Sequence, residues 1–175
     1  MSRAEGDTVY FDWATYADGW LDMDKTTKPA MKEFLECFVG KQIAAGTTRH
    51  VFESRYDKSL VIKIQKHYET QNAVEVATWD RWKDYPKVAK WLAPVVARSS
   101  SMRVIVQQRT IPMLRAPKLI PDFLTDRKVQ NYGLLGKQVV CHDYGLGLYV
   151  ADGCNFKMVP ANWWDVGTGD HYDKR

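Results

Sequence analysis

Asp126, Lys128 and Asn131 stand at the spacing D-x-K-x-x-N, and Asp143-Tyr144-Gly145 follows a short apolar run, Gln138–His142. The carboxylates and the amide oxygen are hard donors of the kind Mg²⁺ takes. A lysine between them can offset charge on a phosphoryl group in transfer. These residue types in this order fit chemistry on a nucleoside triphosphate. Each also has a plain use: Asp and Asn make Asx turns, and Asp before Tyr-Gly makes a tight turn.

Other elements must position these groups. Leu134-Leu135 and Gln138–His142 bracket Gly136-Lys137 and predict a hairpin after Asn131. Upstream, Leu60–Ile64 is a β-branched strand with one charge inside it, and period two puts Val61 and Lys63 on one face. Lys41–Ala45 and Arg49–Ser54 predict strands around Gly46-Thr47-Thr48, with a polar turn over 56–59. Ala73, Val76, Ala77 and Trp79 predict a helix over 69–85 that carries Glu75 and stops at Pro86. Leu92–Ala97 and Met102–Gln107 predict two more strands. Pro112, Pro117 and Pro121 forbid a long helix after them. The expected fold class is α+β, an antiparallel sheet with one main helix. Three segments are expected: an N-terminal extension over 1–39, a domain over 40–150 and a tail over 151–175. The extension is expected to hold a short helix over Trp13–Met23 and another from Pro29 through Met31, Phe34, Leu35 and Phe38 to Gly40. The last ten residues are expected to be loose.

The 175 residues suffice for one domain with a real core. No apolar run approaches a membrane span, and Met1–Asp7 lacks the apolar core of a signal peptide. The expected compartment is the cytosol. Cys37, Cys141 and Cys154 are widely spaced and odd in number, which argues against a zinc site or disulfide framework and for buried free thiols. The net charge of +4 is unevenly spread: residues 1–24 are acidic, while no acid stands between Tyr85 and Pro121. Lys87, Lys90, Arg98, Arg103, Arg109, Arg115 and Lys118 lie in that stretch. They read either as a surface for phosphate or an acidic partner, or as a solvated basic face. Aromatics do not interleave with these bases, which argues against a nucleic-acid partner.

Read in order, the chain resembles the protein kinases: strand, small-residue loop, strand, strand with Lys, helix with Glu, two strands, D-x-K-x-x-N, D-Y-G. The resemblance covers roughly residues 40–147. It sets Ala44, Gly46 and Arg49 where G-x-G-x-x-G would lie, with Val51 at the following valine. It implies that Gly46, Val61 and Lys63 bind ATP, Lys63 through its phosphates, and that Glu75 holds Lys63, with Glu69 as second choice. It implies that Asp126 is the catalytic aspartate, Lys128 its companion, and Asn131 and Asp143 the Mg²⁺ ligands. The implied fold is a kinase N-lobe-like sheet followed by a much reduced C-lobe, the catalytic loop and hairpin.

The chain also departs from the pattern. Leu124 stands where kinases usually have His, and Ala44 and Arg49 replace two of three glycines. An Arg at the last glycine is more similar to the aminoglycoside- and small-molecule-kinase branches. Fewer than twenty residues separate the last upstream strand from Asp126, and thirty follow Gly145. The chain therefore resembles a nucleotide-binding half without its helical lobe, a form met in short kinase-like proteins of tailed bacteriophages. A viral source would place it in the host cytoplasm. Without that lobe, the loop is expected to be tethered by little more than the hairpin. The implied function is a minimal serine/threonine-kinase-like phosphotransferase using ATP and Mg²⁺. The alternative is a catalytically weak or inactive kinase-fold protein that binds and inhibits a host protein, with the basic stretch and Trp163-Trp164 as contact surface. Ordinary packing is the simpler use of those two tryptophans. The sequence specifies no oligomeric state.

Overall fold

The computed structural model describes residues 9–10, 36–66, 70–113, 115–145 and 156–163. The Trp13–Met23 helix, most of the helix from Pro29, and Glu69, Cys154, Trp164 and the last ten residues lie outside the described residues. The chain divides into two compact units, Met1–Asn72 with Val95–Gln108, and Ala73–Pro94 with Arg109–Arg175.

The first unit is a sheet. Its strands are β1 (Val9–Tyr10), β2 (Val39–Ala45), β3 (Arg49–Ser54), β4 (Leu60–Gln65), β5 (Val95–Arg98) and β6 (Val104–Gln108). They lie in the order β1-β5-β6-β4-β3-β2. β1 runs parallel to β5, and every other pair is antiparallel. β4 is central, between β3 and β6. Its consecutive residues Val61, Ile62 and Lys63 are all buried, so both faces of this strand are covered. β2 has two register shifts, between Val39 and Gln42 and between Gln42 and Ala44. A Cβ on Gly40 would meet the Glu53 carbonyl at 2.8 Å, so glycine is required where β2 bends. The strand expected at Leu92 begins instead at Val95. Pro94 has no N–H for the ladder, and Leu92 forms a parallel bridge to Cys141 in the second unit.

The second unit contains most of α1 (Gln71–Trp82), then α2 (Pro86–Ala89), β7 (Leu119–Pro121), β8 (Tyr132–Leu135), β9 (Gln138–Cys141) and β10 (Met158–Pro160). α1 is shorter than the expected 69–85. Pro86 opens α2, where its missing N–H is no loss. β8 and β9 form the expected hairpin, turned at Gly136 with φ +60°. β7 pairs with β10 antiparallel, setting Ile120 opposite Val159. Val88, Leu92, Ile120, Phe123, Leu124, Val140 and Tyr144 form its core. The fold is mixed α+β, with a mostly antiparallel sheet and few helices. Among the described residues no helix is long and apolar enough to cross a membrane. Cys141 is buried, but Cys37 is exposed, against the expectation of buried thiols.

Candidate functional site

Lys63 is 3% exposed on the central strand, paired across to Val51 on β3 and Ile105 on β6. This excludes the plain use of a strand lysine, snorkelling at a sheet edge. Beside it is a residue that the sequence reading missed. Asn72 is fully buried, and its Nδ2 donates to the carbonyls of Lys63 at 3.2 Å and Arg103 at 3.0 Å. Its Oδ1 accepts from Arg49 Nη1 at 3.3 Å, and its N–H donates to Gln65 Oε1 at 3.0 Å. One amide thus ties β3, β4 and the turn before β6. Its signal was an Asn in the first turn of a helix that follows a strand. Arg49 is itself buried and turned toward Asn72, so the residue at the last glycine position is a structural arginine in this fold.

The Gly46 loop is closed by its own backbone. The Gly46 N–H donates to the Arg49 carbonyl at 2.9 Å, and Lys66 N–H donates to the Thr48 carbonyl at 2.7 Å. Lys66 Nζ donates to the Gly46 carbonyl at 2.6 Å, a clamp with no sequence signal. A Cβ on Gly46 would come no nearer than 4.0 Å to the Arg49 carbonyl. The local fold therefore does not demand glycine there. Val61 is buried in β4, opposite Glu53.

In the second unit, Glu75 lies on α1 with no exposed surface, unlike the solvated carboxylate that a helix usually carries. Asp126 and Lys128 lie together on the loop between β7 and β8, with Lys128 Nζ 3.4 Å from Asp126 Oδ2. The loop closes in a 3-10 turn, Val129–Asn131, where the Asn131 N–H donates to the Lys128 carbonyl at 3.0 Å. Asn131 is 7% exposed. Its carbonyl accepts the N–H of His142 at 2.8 Å and, more weakly, of Asp143 at 3.4 Å. The main chains of Asn131 and Asp143 are thereby joined.

The loop is better held than the hairpin alone would allow. The Tyr132 hydroxyl donates to the Asp126 carbonyl at 3.0 Å. Burial pushes the Tyr132 phenol well above the ordinary tyrosine range, with the neighbouring Cys141 and Asp126 adding to it. Arg127 donates from Nε to the Leu124 carbonyl at 3.2 Å and from Nη1 to the Pro160 carbonyl at 3.3 Å. Trp163 packs edge-on against Tyr132, centroids 4.8 Å apart, and its Nε1 donates to the Pro117 carbonyl at 2.6 Å. Trp163 is therefore a buried brace, which removes it from the expected contact surface. Residues 156–163 hold the loop from outside the hairpin, and the expectation of a nearly untethered loop fails on that ground. Leu124, at the usual His position, is a core residue. Tyr144 is fixed by its hydroxyl, which donates to the Ala93 carbonyl at 2.8 Å.

The basic stretch is split by the fold. Arg98 and Arg103 belong to the first unit, and Lys87, Lys90, Arg109, Arg115 and Lys118 to the second. Among the described residues no three of His, Cys, Asp and Glu gather as a metal cage. Mg²⁺ needs none: it keeps its waters and takes one or two protein oxygens plus phosphates. The Asp143 carboxylate and the Asn131 amide oxygen are donors of that kind, so the residues present fit such an ion.

No protein-family model matches the chain, and no curated protein matches it. Among solved structures it is similar to the streptomycin–ATP–APH(2")-IIa ternary complex, with 13% identity and a TM-score of 0.35 over 55% of this chain and 32% of that one. The chain thus spans about a third of that neighbour's length. A likeness this slight carries no argument about activity.

Proposed function

We propose that the chain is a kinase-like phosphotransferase: a kinase N-lobe-like sheet with a reduced C-lobe that binds ATP with Mg²⁺ and passes the γ-phosphate to a hydroxyl. The observation that supports it best is the joining of Asn131 to Asp143 through the Asn131 carbonyl, on a loop that also carries the Asp126–Lys128 ion pair. Both residues of that main-chain junction carry oxygen-donor side chains of the kind Mg²⁺ takes, and the ammonium–carboxylate pair lies on the same loop.

On this reading Lys63 orients the nucleotide phosphates, with Glu75 as its carboxylate and Gly46 and Val61 lining the nucleotide. Asp126 accepts the proton of the attacking hydroxyl, and Lys128 offsets charge on the γ-phosphate. Asn131 and Asp143 hold Mg²⁺, which when bound neutralises phosphate charge. Such catalysis is mostly positioning and charge stabilisation. The acceptor is a small-molecule or protein hydroxyl.

Calorimetric titration with ATP·Mg tests the reading. Wild type binds, and Lys63→Ala and Asp143→Ala each abolish binding. A hundredfold excess over Kd would stabilise the fold by about 2.7 kcal/mol, visible as a rise in Tm. Undiminished affinity in both variants sinks the proposal. Transfer from γ-labelled ATP then separates the two functions: label lost in Asp126→Asn is expected of an enzyme, and ATP binding without transfer favours the inactive, partner-binding alternative.

A further inference from the structure

We infer that His142 and Thr110 are positioning residues for the oxygen-donor pair Asn131 and Asp143, an inference that rests on the phosphotransferase reading above. Neither touches a reacting atom. The His142 ring spans two fixed points, Thr110 Oγ1 at 2.8 Å from Nδ1 and the Gln130 carbonyl at 2.8 Å from Nε2. A carbonyl only accepts, so Nε2 carries the proton. In the neutral ring Nδ1 is then the acceptor, and the Thr110 hydroxyl donates to it. The tautomer is set by these two partners.

The ring acts on the residues at either side of the donor pair. Gln130 precedes Asn131, and His142 precedes Asp143. The side chain of His142 holds the Gln130 carbonyl while its main-chain N–H holds the Asn131 carbonyl at 2.8 Å. Two peptide groups of the 3-10 turn are thus bound to one residue next to Asp143. The ring thus adds a side-chain bond to a junction whose main-chain bonds include the long 3.4 Å one from the Asp143 N–H.

Thr110 is itself placed with care. Ile111 and Leu134 exchange two main-chain hydrogen bonds, at 3.0 and 2.8 Å. That bridge brings Thr110 against Gly133, where an added Cβ would lie 2.5 Å from Thr110 Oγ1 and 2.6 Å from its Cβ. A glycine in the middle of β8 weakens the strand, and here it clears the space that lets the Thr110 hydroxyl reach the ring. Three residues far apart in sequence thus serve one hydrogen bond. Groups behind metal ligands typically set metal affinity by about ten- to a hundredfold.

The test is Mn²⁺ binding to the full chain at saturating ADP, followed by the paramagnetic resonance of the free ion. Wild type binds and Asp143→Asn does not. Thr110→Val keeps the side-chain shape and removes the donor, and it weakens Mn²⁺ by about tenfold. His142→Ala weakens it at least as much, and His142→Gln, which keeps a donor for the Gln130 carbonyl, recovers part of the loss. ADP affinity without metal stays at the wild-type value in the Thr110 and His142 variants, a result that general unfolding would not give. If Thr110→Val and His142→Ala bind Mn²⁺ like wild type while Asp143→Asn fails, the inference falls and the phosphotransferase reading stands. If wild type and Asp143→Asn are equally weak, that reading falls and takes the inference with it.

Discussion

Lys63 and Asn131 are both nearly buried, yet the regions around them are held in different ways. Lys63 sits in a ladder, with main-chain partners on β3 and β6, and a single side chain, Asn72, knots the strands beside it. Asn131 ends a 3-10 turn outside any ladder. Its loop is held by side chains that donate to carbonyls: Arg127 to Leu124 and Pro160, Tyr132 to Asp126, His142 to Gln130. A ladder survives many substitutions, because its bonds belong to the backbone. A loop of this kind loses one bond with each side chain removed. Such side chains rigidify a loop that no ladder holds.

Two glycines separate the regions most sharply. Gly133→Ala drives a Cβ to 2.8 Å from the Ile111 carbonyl, as well as against Thr110. Backbone cannot give way as a flexible side chain can, so we expect a loss of about 3 kcal/mol in urea unfolding. Gly46→Ala meets nothing closer than 4.0 Å, and its effect is expected within about 0.5 kcal/mol. Equal effects at the two positions would mean that the close approach of Thr110 and Ile111 to Gly133 costs nothing, and would remove the contrast between the two glycines.

The next largest effect belongs to a place where the sheet also relies on a side chain. Asn72→Ala leaves the Lys63 carbonyl and the buried Arg49 guanidinium each short of a partner. Leaving buried groups unsatisfied costs roughly 1–3 kcal/mol each before relaxation, and we expect about 2 kcal/mol overall by denaturant unfolding. A variant as stable as wild type would show that the ladder alone holds Lys63.

These two modes of support also explain what the sequence disclosed. β-branched residues and polar turns marked β3 and β4, and Gly136-Lys137 marked the β8–β9 hairpin, because such signals are local and periodic. The motif residues Asp126, Lys128, Asn131 and Asp143 were visible as chemical types at a spacing. Their supports were not. The bond from Trp163 to Pro117 spans 46 residues, that from Thr110 to His142 spans 32, and no local period carries either. Pro94 did carry a signal: it stops β5 from reaching Leu92, and apolar continuity outweighed it in the expected strand. Glu75 and Lys63 could be named from order alone, but their burial depends on tertiary packing.

The smallest effect tests one loop bond in isolation, and pH reads it. Tyr132→Phe removes the hydroxyl that donates to the Asp126 carbonyl at 3.0 Å and leaves the ring against Trp163. The expected loss near neutral pH is about 1 kcal/mol. The folded-state pKa of Tyr132 is raised above the ordinary value of 10.0, chiefly by burial. The unfolded chain therefore releases this proton first as pH rises, and the folded chain still holds it. The contribution to stability is complete below about pH 10 and falls above it, by up to about 1.4 kcal/mol per pH unit. Tyr132→Phe has no proton to lose, so its alkaline stability curve should be flatter than that of wild type by one proton. Parallel curves would mean that the hydroxyl titrates as freely as an exposed one, and that the Asp126 end of the loop is held by Arg127 and not by Tyr132.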